Sequence, residues 1–210
     1  QAILRLYPDA KPTIGPAIEN GFYYDFANLS ISSSEFPEIE AEMQKIIKER
    51  PQPERIEFES KEEALQRFGD NPFKKEMIEE FEEGLSAYQQ GDFIDLCRGP
   101  HVPHMGLVQA IKILKTSGAY WRADAENEQL TRVYGISYPD KKLMSKYLNF
   151  LEEAERRNHR VIGKKLSLFS FHQEAAGMAF FHPKGMIIWE ELMRFWELHH
   201  RAYGYKQIKT

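Results

Sequence analysis

Apolar residues at Ile39, Met43, Ile46 and Ile47 recur at helical spacing and predict a helix over about 37–49, ended by Pro51 and Pro53. Ser34 stands where a cap for that helix is expected. Ser60-Lys61-Glu62-Glu63 has the form of a capping box and opens a second helix reaching about Phe68, and a third is expected over 73–82. Residues 1–8 also show helical spacing, but with no cap before them, and read as the last turns of a helix that starts upstream. Between these segments the pattern changes to short aromatic and β-branched runs. Strands are expected at 21–26, 55–58, 92–96, 108–114, 120–122 and 129–138, with a turn at Ile14-Gly15-Pro16 and a polar turn over 124–128. Short strands joined by turns, with separate helices, make an α+β class built on an antiparallel sheet.

The character changes after Pro139. Residues 140–163 read as one long charged helix with an apolar stripe of Leu143, Tyr147, Leu148, Leu151 and Ala154. Its end is basic (Arg156, Arg157, His159, Arg160, Lys164, Lys165), which complements the helix dipole and is either a solvated face or a surface for a nucleic-acid backbone. A new apolar segment begins at Leu166, a strand and turn are expected over 177–185, and an aromatic-rich helix follows over 185–203. Trp189, Phe195 and Trp196 on it are expected to pack in a core or a dimer, and residues 205–210 to enter a strand. Both ends read as cuts through a longer protein.

Composition narrows the class. The chain has 210 residues, 42% hydrophobic and 13% aromatic, enough for a globular core. No apolar run is long enough to span a membrane, and residues 1–8 do not have the form of a signal peptide. A single cysteine excludes an intrachain disulfide framework and suits a reducing, cytoplasmic setting. With a net charge of −4, any nucleic-acid contact is expected from a local basic surface.

The candidate chemistry concentrates in Asp95-Leu96-Cys97-Arg98-Gly99-Pro100-His101-Val102-Pro103. Cys97 and His101 flank a Gly-Pro turn that can face both side chains to one pocket. Such a pair can be a metal half-site, a nucleophile with its base, or a polar anchor for a substrate. The competing reading is a buried cysteine beside a surface histidine. His104 is expected on the surface, and His182, His199 and His200 are not spaced with the cysteine as metal ligands.

Four stretches, in this order, resemble the bacterial threonyl-tRNA synthetases: Ile14 to Asp25 (IGPAIENGFYYD), Asp95 to Pro103 (DLCRGPHVP), Lys115 to Arg122 (KTSGAYWR) and Gly177 to His182 (GMAFFH). The resemblance implies an editing domain over 1–139 truncated at its start, a linker helix over 140–164, and over 165–210 the start of a class II catalytic core with its motif 1 helix. It implies hydrolysis of mischarged seryl-tRNA(Thr) at the ester on the 3′-terminal adenosine, with homodimerisation, ATP, Mg and Zn belonging only to the full-length threonine–tRNA ligase. The family's pocket joins a Cys-x-x-x-His pair, matched by Cys97 and His101, to a His-x-x-x-His pair expected upstream of Gln1. No metal is therefore expected here, Cys97 and His101 being half a site at most, and hydrolysis by these residues alone is expected to be impaired. Asp95 matches a pocket aspartate that holds the substrate amine or a water, or else caps the loop. Lys74 matches a catalytic lysine, with Lys75 as the register alternative and a solvated helix position as the plain reading. Gly15 and Tyr24 match the substrate-binding rim, though Tyr24 also suits core packing. Arg98 holds a phosphate or braces Asp95. Two rivals remain: a free-standing zinc-dependent deacylase of the alanyl type, and a non-catalytic tRNA-binding or dimerising piece.

Overall fold

A computed structural model describes residues 1–81 and 84–208 and forms two compact units, Gln1–Lys146 and Tyr147–Thr210. In the first, α1 (Ala2–Leu6) leads to two short strands, β1 (Lys11–Pro12) and β2 (Ala17–Ile18), and then to β3 (Gly21–Ala27). There follow α2 (Phe36–Glu49), β4 (Glu54–Glu57), α3 (Lys61–Phe68), α4 (Pro72–Glu80), β5 (Ser86–Gln90), β6 (Phe93–Leu96), β7 (Ala110–Tyr120) and β8 (Gln129–Tyr138). Two antiparallel sheets result: one ordered β1-β3-β8-β7 with β2 also paired to β3, the other β4-β5-β6. The α+β class read from the sequence is the class of the structure.

The helical stripe of α2 buries Ile39 and Ile46 against Ala2 and Ile3 of α1 and against Phe26, Ile113 and Val133 of the larger sheet. The register of β7 shifts between Ile113 and Lys115. There the Glu40 carboxylate accepts from the Ile113 amide (2.9 Å) and the Lys112 ammonium (3.0 Å), so α2 satisfies polar groups at the irregularity. The two strands expected at 108–114 and 120–122 are one strand, Ala110–Tyr120, and Trp121–Ala123 is a 3-10 turn. The polar run Thr116-Ser117-Gly118 concealed the continuity, because its backbone pairs with β8 even where its side chains offer little apolar burial.

Ser60 caps α3 as expected, accepting from the Glu63 amide (3.2 Å). Ser34 does not cap α2. Glu35 occupies that position, and its carboxylate instead accepts from Ser32 and Ser34. The expected end of the third helix at Glu82 lies outside the described residues.

The second unit holds the remainder of α5 (Lys141–Arg156), then α6 (His159–Lys165), β9 (Phe169–Ser170), β10 (Phe180–Phe181) and α7 (Pro183–Ala202). The single helix expected over 140–163 is interrupted: Asn158 caps α6, its side chain accepting from the Arg160 amide at 3.1 Å. An asparagine offers the backbone this local alternative to a continuous ladder. The strand expected at 177–185 shrinks to β10, since α7 already starts at Pro183, which fits a helix's first turn. Residues 205–208 lie in no strand, and the rest of that expectation falls outside the described residues. Trp189, Phe195 and Trp196 are exposed on α7.

Candidate active site

Strand alternation positions the site. On β3, Tyr24 and Asp25 point to opposite faces of the sheet. On β6, Ile94 and Leu96 pack with Ala87 of β5 in a small apolar cluster, which turns Asp95 the other way. Tyr24 and Asp95 thus meet across a cleft of about 550 Å³. Gly15, Tyr24, Lys74, Asp95, Cys97, Arg98 and His101 all line it.

Lys74 sits in the first turns of α4, capped by Asn71, whose side chain accepts from the Phe73 and Lys74 amides. Its side chain is 3% exposed, and Nζ lies 2.5 Å from Asp95 Oδ1, 2.6 Å from the Thr13 carbonyl and 3.3 Å from Tyr24 Oη. Three acceptors are the number an ammonium can serve. Lys75 faces outward and pairs weakly with Glu79, so the inward lysine is Lys74. The Tyr24 hydroxyl donates to Asp95 Oδ2, and the Leu96 amide donates to Oδ1 at 2.9 Å. Burial holds the Tyr24 phenol well above its ordinary pKa, and the Asp95 charge and hydrogen bond push the same way. Tyr24 is therefore a donor in this cleft. Gly15 packs on the Tyr24 ring: a Cβ there would fall 2.1 Å from Cδ2.

Beyond β6 the chain continues the ladder briefly, the Cys97 amide bonding the Ser86 carbonyl and the Ser86 hydroxyl donating to the Cys97 carbonyl. Gly99 then adopts a φ of +74° beneath Tyr88, where a Cβ would lie 2.3 Å from the phenol oxygen. This turn brings His101 Nε2 to 3.2 Å from Cys97 Sγ, while the Gly99 amide donates to the same sulfur at 3.3 Å. The His101 ring stacks on Tyr88 at 3.9 Å and 5°. Partial burial lowers its pKa below the usual histidine value, against a smaller upward pull from Asp95. His101 is exposed, as the competing reading had it, but Cys97 is only half-buried, and the two side chains meet in the cleft rather than standing apart. Arg98 lies over the Phe81 ring at 5.1 Å. The partners that Asp95 has among the described residues are Lys74, Tyr24 and Leu96, not Arg98. As a metal half-site the pair would need further ligands, and no group of three candidate ligands converges among the described residues.

Sequence reasoning missed Thr13, fully buried and holding Lys74 through its carbonyl, and the whole of β5. Ser86, Tyr88 and Gln90 line the cleft from alternate positions of β5, with Ala87 buried on the other face. That period of two was present in Ser-Ala-Tyr-Gln-Gln, but only one of its inward residues is aromatic.

Residues 85–134 match the threonyl and alanyl tRNA synthetase second additional domain. The threonine–tRNA ligase of Desulforapulum autotrophicum is 54% identical over 211 residues, covering 100% of this chain and 33% of that protein. That of Chlamydia felis is 54% identical over 212 residues with the same coverage, and that of Protochlamydia amoebophila behaves alike. The chain spans about a third of the length of these relatives. From end to end the chain is homologous with about a third of the threonine–tRNA ligases, and residues 85–134 of it match the second additional domain of the threonyl and alanyl tRNA synthetases.

Proposed function

We propose that the cleft hydrolyses the ester of mischarged seryl-tRNA(Thr), as the editing site of a longer threonine–tRNA ligase that is cytoplasmic and dimeric and uses ATP. The observation that carries this is the convergence of Lys74, Tyr24, Asp95, Cys97 and His101 on one cleft. The chemical need is plain. Serine lacks one methyl of threonine, and one methyl gives a synthesis pocket only about 1–3 kcal/mol of discrimination.

Asp95 accepts three donors, and a carboxylate has about four lone-pair sites, which leaves one for the substrate amine or the attacking water. Lys74 and Tyr24 give their protons to that carboxylate and to its neighbours and hold it in place, and the Lys74 charge lies next to the ester, where negative charge develops on the carbonyl oxygen. His101 is neutral at pH 7 because its pKa lies below the ordinary value, so it can take a proton from water. Cys97 orients His101 through the 3.2 Å contact. A His-x-x-x-His pair upstream of Gln1 would complete the proton-handling groups. The Gln1 side chain is bonded at 2.6 Å to Gln90, a residue of the cleft wall, so residues joined there would approach the site. With Cys97 and His101 that pair would offer a zinc ion four ligands in the longer protein, but editing by this reading requires no metal.

The test is deacylation of seryl-tRNA(Thr) by the longer protein carrying the upstream pair, compared with Lys74→Ala, Asp95→Asn and His101→Ala. Loss of at least tenfold in each, with threonine charging retained, is expected for groups acting in proton transfer or charge stabilisation. Undiminished hydrolysis in all three would remove the proposal, and equal loss of charging would point to a scaffold instead.

A further inference from the structure

A second cleft, of about 560 Å³, backs onto the first and shares Ile14, Met77 and Phe81 with it. We propose that it binds the penultimate nucleotide of the RNA whose terminal adenosine enters the first cleft, taking the cytosine that precedes the terminal adenosine in every tRNA. This rests on the function proposed above and extends it to a nucleotide subsite.

The architecture of β3 makes the two clefts a pair. Its even positions supply Tyr24 to the first, and its odd positions supply Tyr23 and Asp25 to the second. The floor of the second cleft is rigid. Asp25, 2% exposed, is held by Arg132 through two bonds of 2.7 and 2.8 Å, and the Arg132 guanidinium stacks on Tyr23 at 3.9 Å. One wall is Tyr120, 44% exposed, beside the buried Trp121. The rim carries Arg122 and Glu80, paired at 2.6 Å, with side chains 40% and 57% exposed. At this rim the backbone adopts φ +55° at Arg122 and +59° at Ala123, two consecutive non-glycine residues in the left-handed region. Such strain concentrates at functional sites.

These groups match a pyrimidine. An exposed aromatic ring offers a stacking face to an unstacked base. The Glu80 carboxylate can accept from the exocyclic amine that cytosine has and uracil lacks. Arg122 can donate to the base carbonyl with the protons that its bonds to Glu76 and Glu80 leave over.

The experiment uses the full-length protein and seryl-minihelices whose penultimate position is cytidine, uridine or abasic. The abasic RNA is expected to raise KM about tenfold, in the range of one base–aromatic contact, with kcat within about twofold. Tyr120→Ala is expected to raise KM similarly on the natural RNA and to add nothing on the abasic one. Tyr120→Phe should restore binding, and Glu80→Ala should erase the preference for cytidine over uridine. Thermal melts of the variants confirm folding. Rapid hydrolysis with an unchanged KM on abasic RNA would overturn the subsite and leave the editing function standing, as would independent, multiplying effects of Tyr120→Ala and the abasic change. No hydrolysis of any of the RNAs would overturn both.

Discussion

Replacing Lys74 with methionine removes the cation from a site where its side chain is 3% exposed and leaves Asp95, 14% exposed, without its closest partner. Removing one member of a buried ion pair costs about 3–5 kcal/mol. Asp95 keeps the Tyr24 hydroxyl and the Leu96 amide and has some access to water, which places the cost near the lower end, about 3 kcal/mol. The Thr13 carbonyl also loses the ammonium that bonds it, a further contribution of about 1 kcal/mol. The double variant Lys74→Met/Asp95→Leu removes the stranded charge. What remains are the Tyr24 hydroxyl, the Thr13 carbonyl and the Leu96 amide, each without its partner, so its cost should fall to about 3 kcal/mol, below the roughly 4 kcal/mol of Lys74→Met. Urea unfolding of the wild type and both variants measures this, read as a change of midpoint at constant slope. The double variant should be more stable than the single one although it carries more changes, and both should fail to hydrolyse seryl-tRNA(Thr). If the double variant unfolds as early as Lys74→Met, or Lys74→Met costs under about 0.5 kcal/mol, the pair is not the buried electrostatic unit described here.

Gly15→Ala should displace the Tyr24 ring, since the new Cβ would lie 2.1 Å from Cδ2, and lower seryl-tRNA hydrolysis at least tenfold with the fold intact by circular dichroism. With His101 as base the neutral imidazole is the active form, so the rate should rise with pH through a midpoint below the usual 6.5, and His101→Ala should flatten that limb. The same shift has a consequence for stability. A histidine whose folded pKa is lowered binds fewer protons folded than unfolded, so its contribution is present above 6.5 and is lost as pH falls through that value and on to the folded pKa. Urea midpoints of wild type and His101→Ala should diverge across that window. Ile39→Ala, at a fully buried position between α2 and the large sheet, should cost about 2–5 kcal/mol; a cost under 1 kcal/mol would mean that α2 is not seated on the sheet as described.

The sequence made some elements plain because their periodicity was strong and their caps chemical. The stripe of α2, the Ser60 cap of α3 and the strands β3 and β8 are of this kind. It hid others for specific reasons. Strand β5 is mostly polar because it faces a cleft rather than a core. Strand β7 runs through serine and glycine because its register with β8, not side-chain burial, keeps it extended. Asn158 ends one helix and starts another, although the apolar stripe on either side gives no sign of the break. The site itself divides in the same way. Cys97 and His101 were visible from their spacing, and Lys74 only through family resemblance, because a lysine in a charged helix looks solvated until the structure brings Asp95 and Thr13 to it. The role of Gly15 as the seat of an aromatic ring needed three dimensions.

The division of labour along β3 limits how this chain can change over time. Substitutions at Tyr23, Tyr24 or Asp25 can be tried one at a time, each altering a single wall. An insertion or deletion within Gly21–Ala27 cannot, because shifting the strand by one place sends the phenol that meets Asp95 and the carboxylate that anchors Arg132 to each other's side. Length variation among related chains should therefore collect in the connecting loops, and this seven-residue segment should keep its length even where its residues differ.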